Sequence, residues 1–451
     1  VNLTLNSRPI AGADSFSPEE YRSLVQQNLL PHLPSESETV AIEKAVGRVL
    51  AEDFFAPADL PAFANSQMDG YALTDAACLR SDRVFTVGAD VAAGSAASGL
   101  EVSNDLVYPV MTGAPLPAGY VAVVPEEKAR PLGQTQGSFA VAGSRVELPR
   151  TSPDSFVRQV GSDVRAGELL IEAQTPLTPV HCALLAAHGQ AEVSVHRRLR
   201  VLVLTGGDEV TSETKLASGK IRDANGPLLG RLLEGAGAQT RRVQISDDAA
   251  ALLATLRQVL DEFGPDLVLS SGGISHGKFE VVKNAVGLLK TGATSGLELA
   301  ASWFGHVAQQ PGGPQGLILL GRGDDRPLLP WLGLPGNPVS TLVTYTLVVE
   351  PLLARWQGIS LPARYGRLAE PAEIRGRAGK TEFRRARVKT VYAPDGTSSS
   401  ELTVDEQTGS HLLHRASRAN ALVEIEPEAT YSAGASLRWY PLNTPPLTQT
   451  L

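Results

Sequence analysis

Residues 179–356 alternate strand-like and helix-like patterns, and no other feature narrows the possible folds as far. Alternation of this kind predicts a parallel-rich sheet with helices on both faces. Strand-like runs fall at 199–205, 241–245, 266–270, 317–320 and 331–334. A helix is expected from Pro227, with Leu228, Leu229, Leu232, Leu233 and Ala236 inward and Gly237 as its stop. A second, capped by Asp247 or Asp248, turns Leu252, Leu253, Leu256, Val259 and Leu260 inward. A third runs from about Lys278 to Leu289, and a fourth follows Pro338. Two strands end in glycine-rich turns, Thr205-Gly206-Gly207-Asp208-Glu209 and Ser270-Ser271-Gly272-Gly273-Ile274-Ser275. In open α/β sheets ligands bind beyond the carboxyl ends of the strands. Glycines there let backbone N–H groups approach an anion, and a following helix N-terminus adds partial positive charge. A carboxylate at that edge does not help to cradle phosphate. It suits a divalent cation or a heterocycle that donates hydrogen bonds.

The flanking regions read differently. Ser17-Pro18-Glu19-Glu20 is a capping box that opens a helix carrying Tyr21, Leu24, Val25 and Leu29. A short second helix is expected from Ala41 to Leu50. Residues 51–145 hold short β-like pieces among Pro, Gly and Ala turns, which suggests a β-rich insertion. The expected organisation is an elongated N-terminal domain (1–50 and 146–178), the inserted domain (51–145), the α/β domain (179–358) and a C-terminal β-barrel (359–451). At ~150 residues per domain, 451 residues suit such a multidomain chain. Forty basic against forty-eight acidic residues give a net charge of −8, which offers nucleic acid no global attraction. Cys78 and Cys182 lack metal-ligand spacing, and reduced thiols in a cytoplasmic setting are the expectation. No apolar run reaches the ~18 residues of a membrane span, and the first thirty residues lack a signal-peptide pattern.

Five segments carry a more specific message. They are Asn65-Ser66-Gln67-Met68-Asp69-Gly70-Tyr71-Ala72, Met111-Thr112-Gly113-Ala114-Pro115-Leu116-Pro117, the two glycine-rich turns, and Leu334-Pro335-Gly336-Asn337-Pro338-Val339-Ser340. In this order and spacing the chain resembles the MoeA family, the molybdopterin molybdenumtransferases, which includes the E domain of gephyrin. The resemblance implies an enzyme that accepts adenylylated molybdopterin, inserts molybdate into the dithiolene and releases AMP. It implies Mg²⁺ as cofactor, an elongated homodimer with the site between subunits, and delivery of product to molybdoenzymes. Two alternatives stay open: a molybdopterin adenylyltransferase, and a non-catalytic cofactor carrier or scaffold.

Carried over by motif, the resemblance assigns catalytic roles to Asp69, Thr112, Glu209, Asp223 and Lys283, with Glu209 and Asp223 holding Mg²⁺. Ligand contacts are expected from Asp163, Asp208, Ser271, Gly272, Gly273, Ser275, Lys278, Asp266, Pro311, Pro314, Arg384 and Ser410. For Asp223 a plain helix cap is the competing reading, although Asn225 is better placed to cap the helix at Pro227. The chain departs from the family at Gly313, where a lysine is common, and at Lys278, where an acidic residue is common. One lost cation and one gained nearby would compensate each other.

Overall fold

A computed structural model describes residues 3–5, 8–9, 15–211, 213–274, 280–292, 296–322, 326–369, 373–392, 395 and 397–442. The chain forms two compact units, one of residues 1–52, 174–182 and 191–451, the other of residues 53–173 and 183–190.

The first unit is built on a six-stranded sheet. Its strands are β1 (Arg200–Gly206), β2 (Gln239–Ile245), β3 (Leu267–Ser271), β4 (Glu298–His306), β5 (Pro314–Gly321) and β6 (Leu329–Leu334), in the spatial order β2-β1-β3-β6-β5-β4. The first four in that order are parallel, and β5 runs antiparallel to both its neighbours. Val201, Leu202, Val203 and Leu204 are all fully buried, as a strand covered on both faces requires. Their side chains alternate: Val201 and Val203 enter one core cluster, Leu202 and Leu204 the other.

Five helices matter for the site. They are α1 (Pro18–Leu29), α2 (Asn225–Gly235), α3 (Ala249–Glu262), α4 (Val281–Lys290) and α5 (Pro338–Thr344). α1, α2 and α5 pack on one face and α3 with α4 on the other, which makes three layers. The Ser17 capping box forms as expected, Ser17 and Glu20 each bonding the other's backbone N–H. Asp248, rather than Asp247, caps α3 by accepting from Ala250 and Ala251. Gly237, at φ +83°, follows the end of α2.

The predicted helix over 41–50 is replaced by a strand, Ser37–Ala41, and a single turn, Ile42–Lys44. The strand pairs antiparallel with Glu192–His196, so a partner distant in sequence overrode the local helical pattern. β4 also went unread. Only Trp303 along it is buried, so it offers little apolar alternation to detect.

The C-terminal part of the first unit is the expected β-barrel-like sheet. Strands Gln309–Gln310, Thr381–Tyr392, Ser398–Val404, Arg364–Leu368, Ser436–Pro441 and Ala421–Ile425 follow one another, and the second and last also pair. The second unit holds a six-stranded sheet in which Gly70–Thr74 lies between Leu106–Val110 and Tyr120–Pro125. Residues 146–173 belong to this second unit. No described helix is long and apolar enough to cross a membrane.

Candidate functional site

The carboxyl ends of β1, β3 and β6 open on a cleft of about 410 Å³ in the first unit. β1 leaves the sheet through Gly206 and Gly207, at φ +143° and +129°. A Cβ on Gly206 would stand 2.2 Å from the Ile245 carbonyl oxygen, so glycine is what lets the chain turn against β2. β3 leaves through Gly272 and Gly273, with the Gly272 N–H donating to the Leu334 carbonyl at 3.0 Å. β6 leaves through Pro335 and Gly336 into α5.

Asp223 sits at the mouth of α2. Its Oδ2 accepts the Thr205 hydroxyl at 2.7 Å, and its Oδ1 accepts the Gly226 N–H at 2.9 Å. Asp223 is therefore the residue that bonds the first turn of α2, which overturns the expectation for Asn225. The Asn225 side chain turns instead to the neighbouring loops, donating to Ser271 Oγ at 2.8 Å and to the Gly336 carbonyl at 2.6 Å. The Glu209 carboxylate folds back over Gly207, its Oε2 2.4 Å from where a Cβ would be. Asp208 stands just behind the lining. It and Asp247 each accept the other's backbone N–H at 3.3 Å.

The lining carries four carboxylates, Glu209, Asp223, Asp247 and Glu280, against Arg222 as the sole basic side chain among the described residues. Asp247 was read only as a possible cap and Glu280 not at all. Both follow a strand end and precede a helix at the carboxyl edge, and that position was the available signal.

The remaining expected residues divide. Ser271, Gly272 and Gly273 line the cleft. Ser410 reaches it indirectly, accepting from the side chain of the lining residue Asn337 at 3.0 Å. Pro311 and Pro314 lie outside the lining. Gly312 between them packs on α5, where a Cβ would be 3.1 Å from Thr344 Oγ1. At Gly313 the His306 imidazole covers the glycine, with Cε1 2.1 Å from where a Cβ would stand, so a ring fills the space of the expected lysine side chain. Lys283 does not line the cleft. Its ammonium lies 5.8 Å from the centroid of the Phe304 ring. Ser275 and Lys278 lie outside the described residues.

Two assignments need correction. Asp266 is buried at the opposite, amino-terminal end of β3. Both its oxygens accept from Arg197 at 2.8 Å, and the Arg200 N–H adds a third bond at 2.8 Å. The Asp266 bonds raise the Arg197 pKa further. The expected strand 266–270 already began at Asp266, and the structure adds that its charge is matched by Arg197. Arg384 is likewise engaged away from the cleft, donating to Glu382 at 2.7 Å and to the Arg375 carbonyl at 3.0 Å. The next residue, Arg385, is buried and donates to the Gly409 carbonyl at 3.0 Å and to the Gln407 carbonyl. Arg385 thus holds the segment that presents Ser410.

In the second unit, Asp69 and Thr112 meet. Asp69 Oδ1 accepts the Thr112 N–H at 2.7 Å and the Thr112 hydroxyl at 2.8 Å. These bonds, the backbone one first, hold the exposed Asp69 carboxyl below the ordinary carboxylate range. Asp163 is exposed in the same unit, and its N–H donates to the Leu60 carbonyl at 3.0 Å.

No group of three or more His, Cys, Asp or Glu side chains placed to hold a metal occurs among the described residues. The cleft nevertheless fits Mg²⁺ as a shared ion. Mg²⁺ is commonly held by one or two carboxylates together with phosphates of the substrate. Asp223 and Glu209 offer oxygens there, and Asn225 Oδ1 is a buried acceptor with no donor among the described residues. A phosphate-bearing ligand would be repelled by so acidic a lining unless cations came with it.

Comparison with known proteins gives the same direction over most of the chain. The chain matches the MoeA N-terminal region (domain I and II) over residues 16–189, the "Probable molybdopterin binding domain" over 202–355 and the MoeA C-terminal region (domain IV) over 367–442. Molybdopterin molybdenumtransferase 2 of Mycobacterium tuberculosis is 34% identical over 414 residues, 90% of this chain and 95% of that protein. The molybdopterin molybdenumtransferase of Haemophilus influenzae is 31% identical over 423 residues, 91% of this chain and 95% of that protein. The crystal structure of a molybdopterin biosynthesis MoeA protein from Pyrococcus horikosii has a TM-score of 0.74 at 24% identity, over 96% of this chain and 100% of that one, a likeness of fold. The chain belongs to the MoeA family, the molybdopterin molybdenumtransferases.

Proposed function

We propose that the chain inserts molybdate into the dithiolene of adenylylated molybdopterin and releases AMP, a late step of molybdenum cofactor biosynthesis. The observation that carries this reading is the acidic cleft at the carboxyl edge of the sheet, in a chain that matches all three MoeA regions. The glycine turns leave room for a ligand beside backbone N–H groups. The carboxylates suit the amine and amide edges of a pterin and a nucleotide that arrives with its metal.

Asp223 and Glu209 would hold Mg²⁺ together with the substrate's phosphates. Bound there, the ion supplies charge neutralisation for cleavage of the phosphoanhydride. Thr205 and the Gly226 N–H keep Asp223 aimed into the cleft. Ser271, Gly272 and Gly273 shape the wall against which the ligand rests. Asp69 and Thr112 belong to a motif of the other unit. In the proposed homodimer they complete the cleft of a second copy, and the loaded cofactor passes to molybdoenzymes.

Purified protein given adenylylated molybdopterin, molybdate and Mg²⁺ should release AMP well above a boiled control. AMP at the control level would remove the reading. ATP consumption with pyrophosphate release would favour the adenylyltransferase instead. For the dimer, mixing Asp69→Asn protein with Asp223→Asn protein should restore part of the activity each lacks alone. No restoration from exchanging subunits would rule out a shared site.

A further inference from the structure

We infer that Asn225 is a positioning residue, a carboxamide clamp that fixes the start of α2, after Asp223, against the loops that follow β3 and β6; the kinetic part of this inference rests on the function proposed above. The turns come from separate parts of the chain, after β1 and Asp223, after β3, and after β6. Van der Waals packing among glycines cannot hold them in register, because glycines have no side chains to interlock. One side chain at the start of α2 reaches both of the others. Asn225 stands in the first turn of α2, two residues after Asp223. One amide hydrogen goes to Ser271 Oγ at 2.8 Å and the other to the Gly336 carbonyl at 2.6 Å. Ser271 Oγ continues the network to the Pro335 carbonyl and Thr341 Oγ1, each at 3.0 Å, and Thr341 Oγ1 donates to the Pro335 carbonyl at 2.7 Å.

The other end of the carboxamide shows what the side chain is for. Asn225 Oδ1 is buried and receives no donor among the described residues. Leaving a buried acceptor unpaired is unfavourable. Rotating the amide by half a turn would set its oxygen against the Gly336 carbonyl oxygen and lose that bond. The orientation is therefore dictated by the loops, and the unpaired oxygen is the consequence. A residue present only to cap α2 would not need this arrangement, since Asp223 already bonds the Gly226 N–H.

Aspartate is the informative replacement, because it keeps the shape and an acceptor but cannot donate. Asn225→Asp and Asn225→Ala should raise KM for adenylylated molybdopterin at least tenfold, with a smaller change in kcat. Ser271→Ala should do part of the same, and combining it with Asn225→Ala should add less than the product of the two single effects. Hydrogen exchange followed by mass spectrometry supplies a readout that does not depend on turnover. Peptides covering 271–274 and 334–337 should exchange at least tenfold faster in both Asn225 variants, while β2 and α3 keep wild-type rates. The clamp is refuted if those peptides exchange as in wild type, or if the whole sheet loosens equally. Failure of the wild type to release AMP would count against the proposed function alone, since the exchange comparison still decides the clamp. Should Asn225→Ala fail to fold, the isosteric Asn225→Asp and the separate Ser271→Ala carry the test.

Discussion

Asp266 and Asp223 are aspartates of the same α/β layer with opposite surroundings. Asp266, at the amino-terminal end of β3, is buried under a two-pronged contact from Arg197 and a backbone N–H. Asp223, at the carboxyl edge, is half-buried and bonds a hydroxyl and a backbone N–H, and no ion pair to it forms among the described residues. The difference teaches how to read an acidic residue in such a fold. A carboxylate whose charge is cancelled by guanidinium holds the protein together. One held only by neutral donors keeps its charge available for a ligand. Asp69, fixed by Thr112 through two neutral donors, is of the second kind.

The largest effect should come from breaking the matched pair. Asp266→Ala leaves Arg197 with only the exposed Glu36 as partner and frees the Arg200 N–H, and should cost about 3 kcal/mol of stability. Denaturant titration measures this, and KM of the remaining folded protein should be unchanged. A loss under 1 kcal/mol would erase the distinction between the two ends of the sheet. Next comes removal of the metal proposed for the unmatched cleft. Chelation with EDTA should lower AMP release at least a hundredfold, about 2.7 kcal/mol, with recovery on adding Mg²⁺. Full turnover in EDTA would mean that the carboxylates serve the pterin alone.

The smallest effect concerns Asp69. Its pKa is lowered in the folded protein, so its contribution to stability is complete above the unfolded value and disappears as pH falls through the folded one. Thr112→Val removes one of the two bonds and should move this loss to higher pH. Because the site is exposed, about 0.5 kcal/mol is at stake. An NMR titration of Asp69 in both proteins checks the direction. An identical midpoint would show that the Thr112 hydroxyl does nothing to the carboxyl.

Local rules were readable wherever neighbours in sequence decide the outcome. The Ser17 capping box, the Gly237 stop and the glycine turns after β1 and β3 all depend on residues within a few positions. Long-range pairing was not readable. Ser37–Ala41 became a strand through residues more than 150 positions away, and β4 exists as an edge partner of β5. The same limit governed the candidate site. Residue types identified the acidic candidates, but whether an arginine already sits on a carboxylate is a property of the folded chain. Asp266 opens the expected strand 266–270, at the end away from the ligand edge, and only the fold shows Arg197 bonded to it. Arg384 was expected at the ligand, and nothing local in the sequence tells that it bonds Glu382 and the Arg375 carbonyl instead.

The sharpest examination of the account is the rate of molybdate-dependent AMP release by Asp223→Asn protein, beside wild type at equal folded concentration. The substitution removes one negative charge, keeps one oxygen to accept the Gly226 N–H, and offers its amide N–H to the Thr205 hydroxyl oxygen. A fall of a hundredfold or more with an intact fold is what an unmatched, ligand-directed carboxylate requires. A rate within twofold of wild type would contradict the assignment of this cleft as the place where the reaction occurs.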